Sequence, residues 1–388
     1  MMTSADDITN WLISEGRELG DGVAIVEGYS ARLVEAGVPL SRANIAQRFA
    51  NPLLVAWGVI WTPEETSQYD VTHQMLETSS YVGSPFEYVH TNLKPLHKSL
   101  VGLDPDLDHS SYLELAEAGG TDLYAMLLTY GDGSQNGCTF VTDSSNGFQG
   151  EHIALIQRTG VGLACALEPV TMRKSTESLL RTYIGDGPAR AVCNGTIQRG
   201  ESSVVEAVVV FTDLRGFTTK SETWKEEDLI EALNGYFDAV VQAVIDNGGD
   251  VLKFMGDGIL SIFTIDENKS REAQCRRAID AVRASVSSLE GLNKDRRKEG
   301  LEALAMGTGI NVGSVTYGNI GSPGRLDFTV LGPAVNIASR VQDLCKSLDE
   351  TALATEPVAL SLPGTFEDRG HHSLRGVSEP IKLFAIRS

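Results

Sequence analysis

One eight-residue run in the middle of the chain, residues 204–211, limits the possible fold more than any other feature. Apart from Glu206, the run is apolar and rich in β-branched residues, which predicts a strand buried on both faces. Thr212 and Asp213 follow it directly. A carboxylate at the end of a buried strand is well placed to face a cleft, so Asp213 becomes the first candidate functional residue.

A hairpin follows one helix later and supplies a second carboxylate. Thr223 and Glu226 have capping-box spacing and predict the start of that helix. Residues 251–255 and 259–263 then predict two short strands around a turn that contains Asp257. If this hairpin pairs with the first strand, Asp213 and Asp257 meet at one edge of the sheet. Two carboxylates together with phosphate oxygens are a typical magnesium environment.

The remaining pattern of the second half predicts the ferredoxin-like order βαββαβ, with a helix at 270–289 and strands at 306–312 and 314–320 separated by a glycine turn. A further strand is predicted at 327–331. Pro333 suits the first position of a helix that extends to residue 348. Asn336 and Arg340 are four residues apart on that helix and therefore share a face.

The first half is less regular. We expect helix over residues 8–36, a strand at 53–61, a hairpin of strands 123–130 and 138–143, and a helix over 152–183 that is broken or kinked at Pro169. This order resembles a GAF-like α/β sensor domain. The predicted chain is therefore α+β, with a GAF-like sensor domain at 1–150, a connector helix and linker at 151–200, and a catalytic domain at 201–388.

The side chains of the first half do not identify the ligand that this half would bind. Five aromatic residues either line a ligand pocket or form ordinary core: Trp57, Trp61, Tyr81, Phe86 and Tyr88. Five histidines lack the spacing of metal ligands and are interpreted as exposed or hydrogen-bonded: His73, His90, His97, His109 and His152. A small-molecule ligand of unknown identity in the first domain is one expectation.

Charge and composition exclude several classes of partner. The chain has 32 basic and 52 acidic residues, a net charge of -20, and would be repelled by nucleic acid and anionic membranes. The start of the chain lacks the cationic and apolar regions of a signal peptide, and the longest apolar stretch, 52–61, is about half of the ~20 residues that a span needs. We expect a cytoplasmic protein without a membrane span or nucleic-acid partner. The five cysteines lack paired spacing and are expected to be reduced.

Three segments of the second half carry a resemblance to a known family. They read FTDLRGFT at 211–218, KFMGDG at 253–258 and VNIASR at 335–340. In this order and spacing they resemble the catalytic domain of class III nucleotidyl cyclases, specifically adenylate cyclases. The resemblance covers about residues 203–387, half of the chain.

The resemblance implies a two-metal reaction on ATP. Asp213, Leu214 and Asp257 would form the site for two Mg²⁺ or Mn²⁺ ions, one acting on the ribose 3′-hydroxyl and one on the triphosphate. The hydroxyl would attack the α-phosphorus and release pyrophosphate, which gives 3′,5′-cyclic AMP. Phe217 and Thr218 are implied to bind the substrate.

Three further side chains are implied to contact phosphate or ribose. Arg340 would neutralise charge that develops on the phosphoryl group, and Asn336 would orient the ribose. Arg375 stands where the family has a lysine that contacts the triphosphate, which retains the charge and changes the geometry.

The resemblance implies that Lys253 and Thr329 determine which nucleotide base is bound. In the family a lysine at the first position reads the adenine edge together with an aspartate or threonine at the second, whereas a guanylate cyclase is expected to have glutamate and a small residue. ATP is therefore the expected substrate. The alternatives are a cyclase for GTP or a pyrimidine nucleotide, and a sensor or binding protein whose cyclase-like half is a silent dimerisation module. Diguanylate cyclase activity, suggested by the Gly-Gly-Asp at 248–250, is discounted because Val251 and Leu252 follow it.

The family also shares its active sites between subunits. The metal aspartates come from one subunit, and the base-reading and arginine residues come from the other. With one cyclase domain per chain, the expected working form is a head-to-tail homodimer with two equivalent sites. Regulation of that dimer by the first domain is the accompanying hypothesis.

Overall fold

The chain is described here by a computed structural model, which covers residues 4–387. The fold is mixed α+β, as predicted, and divides into two units, Met1–Leu179 and Leu180–Ser388. The proposed division into a sensor domain at 1–150, a connector at 151–200 and a catalytic domain at 201–388 remains a prediction.

The first unit is built on a six-stranded antiparallel sheet of order β3-β2-β1-β6-β5-β4. The strands are β1 Arg42–Arg48, β2 Leu54–Trp61, β3 Thr66–Thr72, β4 Leu96–Ser99, β5 Asp122–Thr129 and β6 Gln135–Thr142. The helices are α1 Ala5–Trp11, α2 Gly22–Glu35, α3 Pro85–Asn92, α4 Ser110–Glu117 and α5 Gly150–Ile184.

Each face of this sheet has its own apolar cluster. Helices α1, α2 and α5 pack on one face, where Tyr29, Trp57 and Phe140 are almost completely buried. A smaller cluster that includes Val89, Leu100, Tyr112, Leu123 and Val141 covers part of the other face. Burial of these large side chains is the main stabilising contribution to the unit.

Two helix predictions for the first unit need correction. The helix predicted over 8–36 is two helices, because the chain leaves helical geometry at Gly20 (φ 61°) and Asp21 caps α2 by accepting from the Ala24 amide at 2.9 Å. Of the break or kink predicted at Pro169, the break is absent, since α5 runs through this residue. Pro169 lies on the exposed side of α5, where water can hydrogen-bond the carbonyl that proline leaves unpaired. The predicted strand at 53–61 and the hairpin of β5 and β6 are confirmed.

Among residues 4–387, α5 is the one helix that has the length and composition to cross a membrane, and half of its most apolar window is buried within the structure. The apolar stretch at 52–61 is therefore not the longest candidate for a membrane span. A buried core helix passes the same test, so the expected absence of a span stays a prediction.

The second unit is built on an eight-stranded sheet, with seven strands in the order β13-β14-β12-β10-β7-β9-β8 and β11 paired to β10. The strands are β7 Ser202–Leu214, β8 Asp250–Met255, β9 Gly258–Ile265, β10 Met306–Ser322, β11 Arg325–Leu331, β12 Ala352–Thr355, β13 Phe366–His372 and β14 Ile381–Ile386. The helices are α6 Asp186–Cys193, α7 Phe217–Thr223, α8 Glu226–Asp246, α9 Arg271–Lys298, α10 Pro333–Leu344 and α11 Glu356–Ser361.

The order β7-α8-β8-β9-α9-β10 confirms the predicted βαββαβ arrangement, with α7 as an additional short helix. Strand β7 lies between β9 and β10, and the predicted burial on both faces holds for residues 207–210, whereas Val204 is 73% exposed. Val208 and Val210 belong to the cluster with α8 and α9, whereas Val209 packs with α10 residues such as Ala338.

Two local predictions for this unit were wrong. Thr223 does not cap α8, which begins after Lys225, because it is the last residue of α7 and its hydroxyl donates to the Thr219 carbonyl at 2.9 Å. The glycine turn at Gly313 is also absent, since β10 is continuous and Gly313 pairs with Ala207. A Cβ at Gly313 would lie 3.1 Å from the Ala334 Cβ, so the glycine makes room for α10.

Candidate active site

Asp213 and Asp257 lie together at one edge of the central sheet. Asp213 is near the end of β7, and Asp257 is in the turn between β8 and β9. Because β7 pairs with β9 through Thr212 and Ile259, the strand end and the hairpin turn meet. The Asp257 carboxylate is close enough to raise the pKa of Asp213. The juxtaposition predicted from the sequence is present.

The electrostatics of this pair favour a cation. Burial, followed by the neighbouring carboxylate of Asp257, raises the pKa of Asp213 to about 7, and Asp343 adds to the effect. The nearby cations do not compensate. Arg215 donates to the carbonyls of Cys345 and Glu350, and Lys220 pairs with Glu302.

The donor set indicates which cation fits. Both side chains offer only carboxylate oxygens, which suits Mg²⁺ or Mn²⁺ better than a metal that prefers nitrogen or sulfur. Within residues 4–387, no group of three His, Cys, Asp or Glu side chains is arranged to hold a metal. The pair therefore leaves most coordination positions for water or substrate oxygens.

The residues that follow Asp213 are placed by a glycine turn. Gly216 has φ 75° and precedes α7, which begins at Phe217. Leu214 is 2% exposed, so its side chain lies in the core and only its backbone can face the site. Phe217 packs against the core cluster, and Thr218 is exposed.

Lys253 on β8 has an unpredicted partner. Its Nζ lies 3.0 Å from Oδ2 of Asp327 on β11. Thr329, two residues further along β11, is 3% exposed, and its hydroxyl has no hydrogen-bond partner in the part of the chain that the structure describes. Lys253 and Thr329 are thus not hydrogen-bonded to each other. The period of two in a strand places Asp327 and Thr329 on one face, which is the signal that could have identified Asp327.

Asn336 and Arg340 lie one turn apart on α10, as predicted. Asn336 is exposed, and Arg340 is half-buried beside the loop that contains Arg375. A Cβ at Gly376 would lie 3.5 Å from the guanidinium nitrogens of Arg340, so this glycine allows the arginine to lie against the loop. Among the described residues, neither arginine forms an ion pair with a carboxylate. Both guanidinium groups are free to bind an anion such as phosphate.

The sheet of the second unit carries the carboxylate pair, and α10 carries Arg340, which forms no ion pair among the described residues. Residues 201–388 match the family model of the adenylate and guanylate cyclase catalytic domain. The second half of this chain is therefore a cyclase catalytic domain, and the chain carries the domain of a cyclase enzyme. The GAF-like interpretation of the first unit is not shown by this match and stays a prediction.

Several known proteins are similar to this half. An adenylate cyclase of Anabaena cylindrica is 31% identical over 201 residues, which are 50% of this chain and 39% of that protein. Adenylate cyclase 1 of Rhizobium meliloti is 29% identical over 185 residues, 47% of this chain and 27% of that protein. The chain thus spans well under half the length of these relatives. The crystal structure of the adenylyl cyclase CyaB from P. aeruginosa is 27% identical, covers 48% of this chain and 96% of that one, and has a TM-score of 0.44.

Proposed function

We propose that this protein is an adenylate cyclase, which converts ATP to 3′,5′-cyclic AMP and pyrophosphate under the control of its first unit. The observation that carries the proposal is the pair Asp213 and Asp257, neither of which forms an ion pair among residues 4–387, in a domain that matches the cyclase family. The similar proteins named as adenylate cyclases support the choice of reaction. Control by the first unit rests on the domain order alone.

The carboxylate pair fits two Mg²⁺ or Mn²⁺ ions per active site, held by Asp213, Asp257 and the Leu214 backbone. When bound, these ions would lower the pKa of the ribose 3′-hydroxyl and neutralise the triphosphate. The chain itself supplies the oxygen ligands and holds them at the end of a buried strand. Substitution of either aspartate removes half of the carboxylate oxygens.

Three side chains then act on the substrate directly. Arg340 donates to the α-phosphoryl oxygens as negative charge builds up there, and Asn336 hydrogen-bonds the ribose. Arg375 binds the outer phosphates from the loop beside Arg340. The removal of one such group typically costs on the order of 10²–10³ in rate.

Adenine recognition uses Lys253 and the polar face of β11. Adenine presents a ring-nitrogen acceptor next to an amino donor, and guanine presents the opposite pattern. The Lys253 ammonium donates to the ring nitrogen, while the unpaired hydroxyl of Thr329 accepts from the amino group. Asp327, at 3.0 Å from Lys253, keeps the ammonium at this end of β8. This arrangement favours ATP over GTP.

We propose a head-to-tail homodimer as the active form. Within the described residues of one chain, no hydrogen bond or ion pair joins Arg340 to Asp213 or Asp257. Apolar side chains beside Lys253 are also exposed, with Phe254 at 51% and Met255 at 42%. Such exposure suits a surface that a second copy covers.

The first experiment measures turnover of ATP, GTP, CTP and UTP with Mg²⁺ or Mn²⁺. Wild type is expected to form cyclic AMP from ATP, and Asp257→Ala is expected to lose activity while it keeps its circular dichroism spectrum. Absence of a cyclic product from every nucleotide, for the full chain and for residues 180–388 alike, would refute the proposal and favour the silent module.

A mixing experiment tests the shared sites. Asp257→Ala and Arg340→Ala are each expected to be inactive. In a 1:1 mixture half of the dimers are mixed and have one intact site out of two, so we expect about a quarter of wild-type activity. No recovery after equilibration, or a fully active monomer in sedimentation, would contradict the shared-site dimer.

A further inference from the structure

A cavity of about 240 Å³ lies in the first unit, on the face of the sheet opposite to α1, α2 and α5. It lies between β1, β2 and β3 on one side and the segment leading into α3 on the other. Most of its wall is apolar, with contributions from Val55, Val71, Met75, Leu76 and Phe86. Pockets of this kind, with a few polar groups, are the usual form of small-molecule sites.

Small residues on neighbouring strands create this space. Ala46 of β1, Ala56 of β2 and Gly137 of β6 all line the cavity. A Cβ at Gly137 would lie 2.6 Å from Cδ1 of Phe86, so the aromatic ring packs directly on the strand. Tyr69 forms a further wall and cannot move in to fill the space, because its hydroxyl donates to Asn44 at 2.7 Å. The small residues of the sheet therefore create the cavity, and the fixed position of Tyr69 keeps it open.

His90 lines the cavity and carries an unused hydrogen-bond acceptor. Its Nδ1 lies 2.7 Å from the Phe86 carbonyl, and a carbonyl can only accept, so Nδ1 carries the hydrogen. The other ring nitrogen, Nε2, is then an acceptor in the neutral imidazole. It is buried and has no partner in the described part of the chain. The expectation that His90 is hydrogen-bonded holds only for Nδ1. A buried acceptor without a donor costs free energy, which a ligand with an N–H or O–H group would recover.

Arg48 places a single positive charge on the same cavity. Its side chain lines the cavity and is exposed, and no carboxylate pairs with it among residues 4–387. Tyr81 lies close enough to feel this charge, which opposes the rise in the pKa of its phenol that burial causes. One exposed guanidinium beside apolar walls suits a singly charged carboxylate. A phosphate dianion would bring a second charge that nothing on the wall compensates.

We propose that this cavity binds a small, flat carboxylic acid that carries an O–H or N–H donor, as a hydroxybenzoate does. The ring packs between the apolar wall and Phe86, the donor bonds to Nε2 of His90, and the carboxylate pairs with Arg48. Three aromatic side chains on the wall, Tyr69, Tyr81 and Phe86, favour a planar ligand. The inference concerns the first unit alone and stands independently of the proposed cyclase activity.

The test is calorimetric titration of the full chain with 2-, 3- and 4-hydroxybenzoate, which vary the separation between donor and carboxylate. We expect at least one isomer to bind with a Kd below about 1 mM. Benzoate, which lacks the donor, is expected to bind about fivefold more weakly, as one lost hydrogen bond implies. Arg48→Gln should weaken binding about tenfold or more, whereas Lys94→Gln, which removes an exposed charge elsewhere in the unit, should not change it.

A filling variant distinguishes the cavity from any other site. Ala46→Leu points the larger side chain into the cavity and is expected to abolish binding with a retained melting temperature. If this variant does not fold, Arg48→Gln decides the outcome, because its side chain is exposed. Failure of all three isomers to bind below about 1 mM would overturn the proposal. So would binding that a folded Ala46→Leu or Arg48→Gln leaves unchanged, or equal affinity for benzoate.

Discussion

Gly187 of α6 lies directly against Asp250, the first residue of β8. A Cβ at Gly187 would be 2.8 Å from Oδ1 of Asp250, which is closer than real Cβ atoms approach. A Cβ at Gly185, which has φ 88°, would be closer still to the Val251 carbonyl oxygen. Because Lys253 follows on the same strand, α6 lies against the element that carries the proposed base-reading lysine.

This contact predicts opposite effects of two similar substitutions. Gly187→Ala should destabilise the second unit by about 1–2 kcal/mol, because a methyl group in a packed contact forces a shift. Gly291→Ala is the matched control, since nothing lies within 4 Å of its Cβ on α9, and it should stabilise by about 0.5–1 kcal/mol. Urea unfolding measures both free energies. Equal effects would contradict the proposed contact.

The carboxylate pair predicts a stabilising substitution. The pKa of Asp213 is raised in the folded state, so its contribution to the stability of the metal-free protein falls as pH rises from about 4 towards the folded value of about 7. Asp213→Asn should therefore raise the Tm of metal-free protein at pH 8 by a few degrees, about 2–4 °C per kcal/mol, and much less at pH 5. Thermal scans in chelator at both pH values measure this.

Asp368 provides a control of opposite sign. A hydrogen bond from Lys382 lowers the pKa of Asp368, so its contribution to stability is present above the unfolded pKa and is lost on acidification. Asp368→Asn should lower the Tm slightly at pH 8. A stabilising effect of both substitutions would point to net charge, not to the carboxylate pair.

Two β11 substitutions should separate positioning of the lysine from recognition of the base. Thr329→Val removes the unpaired hydroxyl and should lower kcat/KM for ATP by about fivefold, as expected for one hydrogen bond, with little change for GTP. Asp327→Asn should have a smaller effect, since its ion pair with Lys253 is partly exposed. Steady-state kinetics with both nucleotides measure the ratio of kcat/KM for ATP to kcat/KM for GTP. An unchanged ATP to GTP ratio in Thr329→Val would exclude its role in base choice.

Arg340 and Arg375 should respond differently to substitution by lysine. Arg340→Lys is expected to lower kcat by about 10²-fold or more, because a point charge cannot replace the bidentate guanidinium on the phosphoryl group. Arg375→Lys should retain most activity, since binding of the outer phosphates needs charge more than geometry. Comparable losses in both variants would contradict the division of roles between them.

Features that local pattern determines could be predicted from the sequence. The central strand with its buried residues 207–210 and the hairpin around Asp257 could both be predicted, and strand pairing then brought Asp213 and Asp257 together. Strand β1 was missed because Arg42–Arg48 is mostly polar, with its buried residues at alternate positions. The continuity of β10 through Gly313 depends on the close approach of α10, which leaves no local signal.

Features that need three-dimensional contacts could not be predicted. Asp327 reaches Lys253 across 74 residues of sequence, and only the packing of β11 near β8 reveals this. The cavity depends on small residues from three strands and on a hydrogen bond that fixes the His90 ring. None of these residues has a distinctive pattern in its own segment. The site can be recognised only when the tertiary structure brings the segments together.

The isolated carboxylate pair also bears on how this sequence is maintained by selection. Two acids that repel each other at a buried strand end weaken the fold, and a neutral replacement at either position would relieve the repulsion. In a domain that served only as a scaffold, mutation would be free to remove this stability cost. Both acids are therefore expected to be conserved among relatives that carry out the reaction, because there the loss of either acid costs more than a marginal gain in stability.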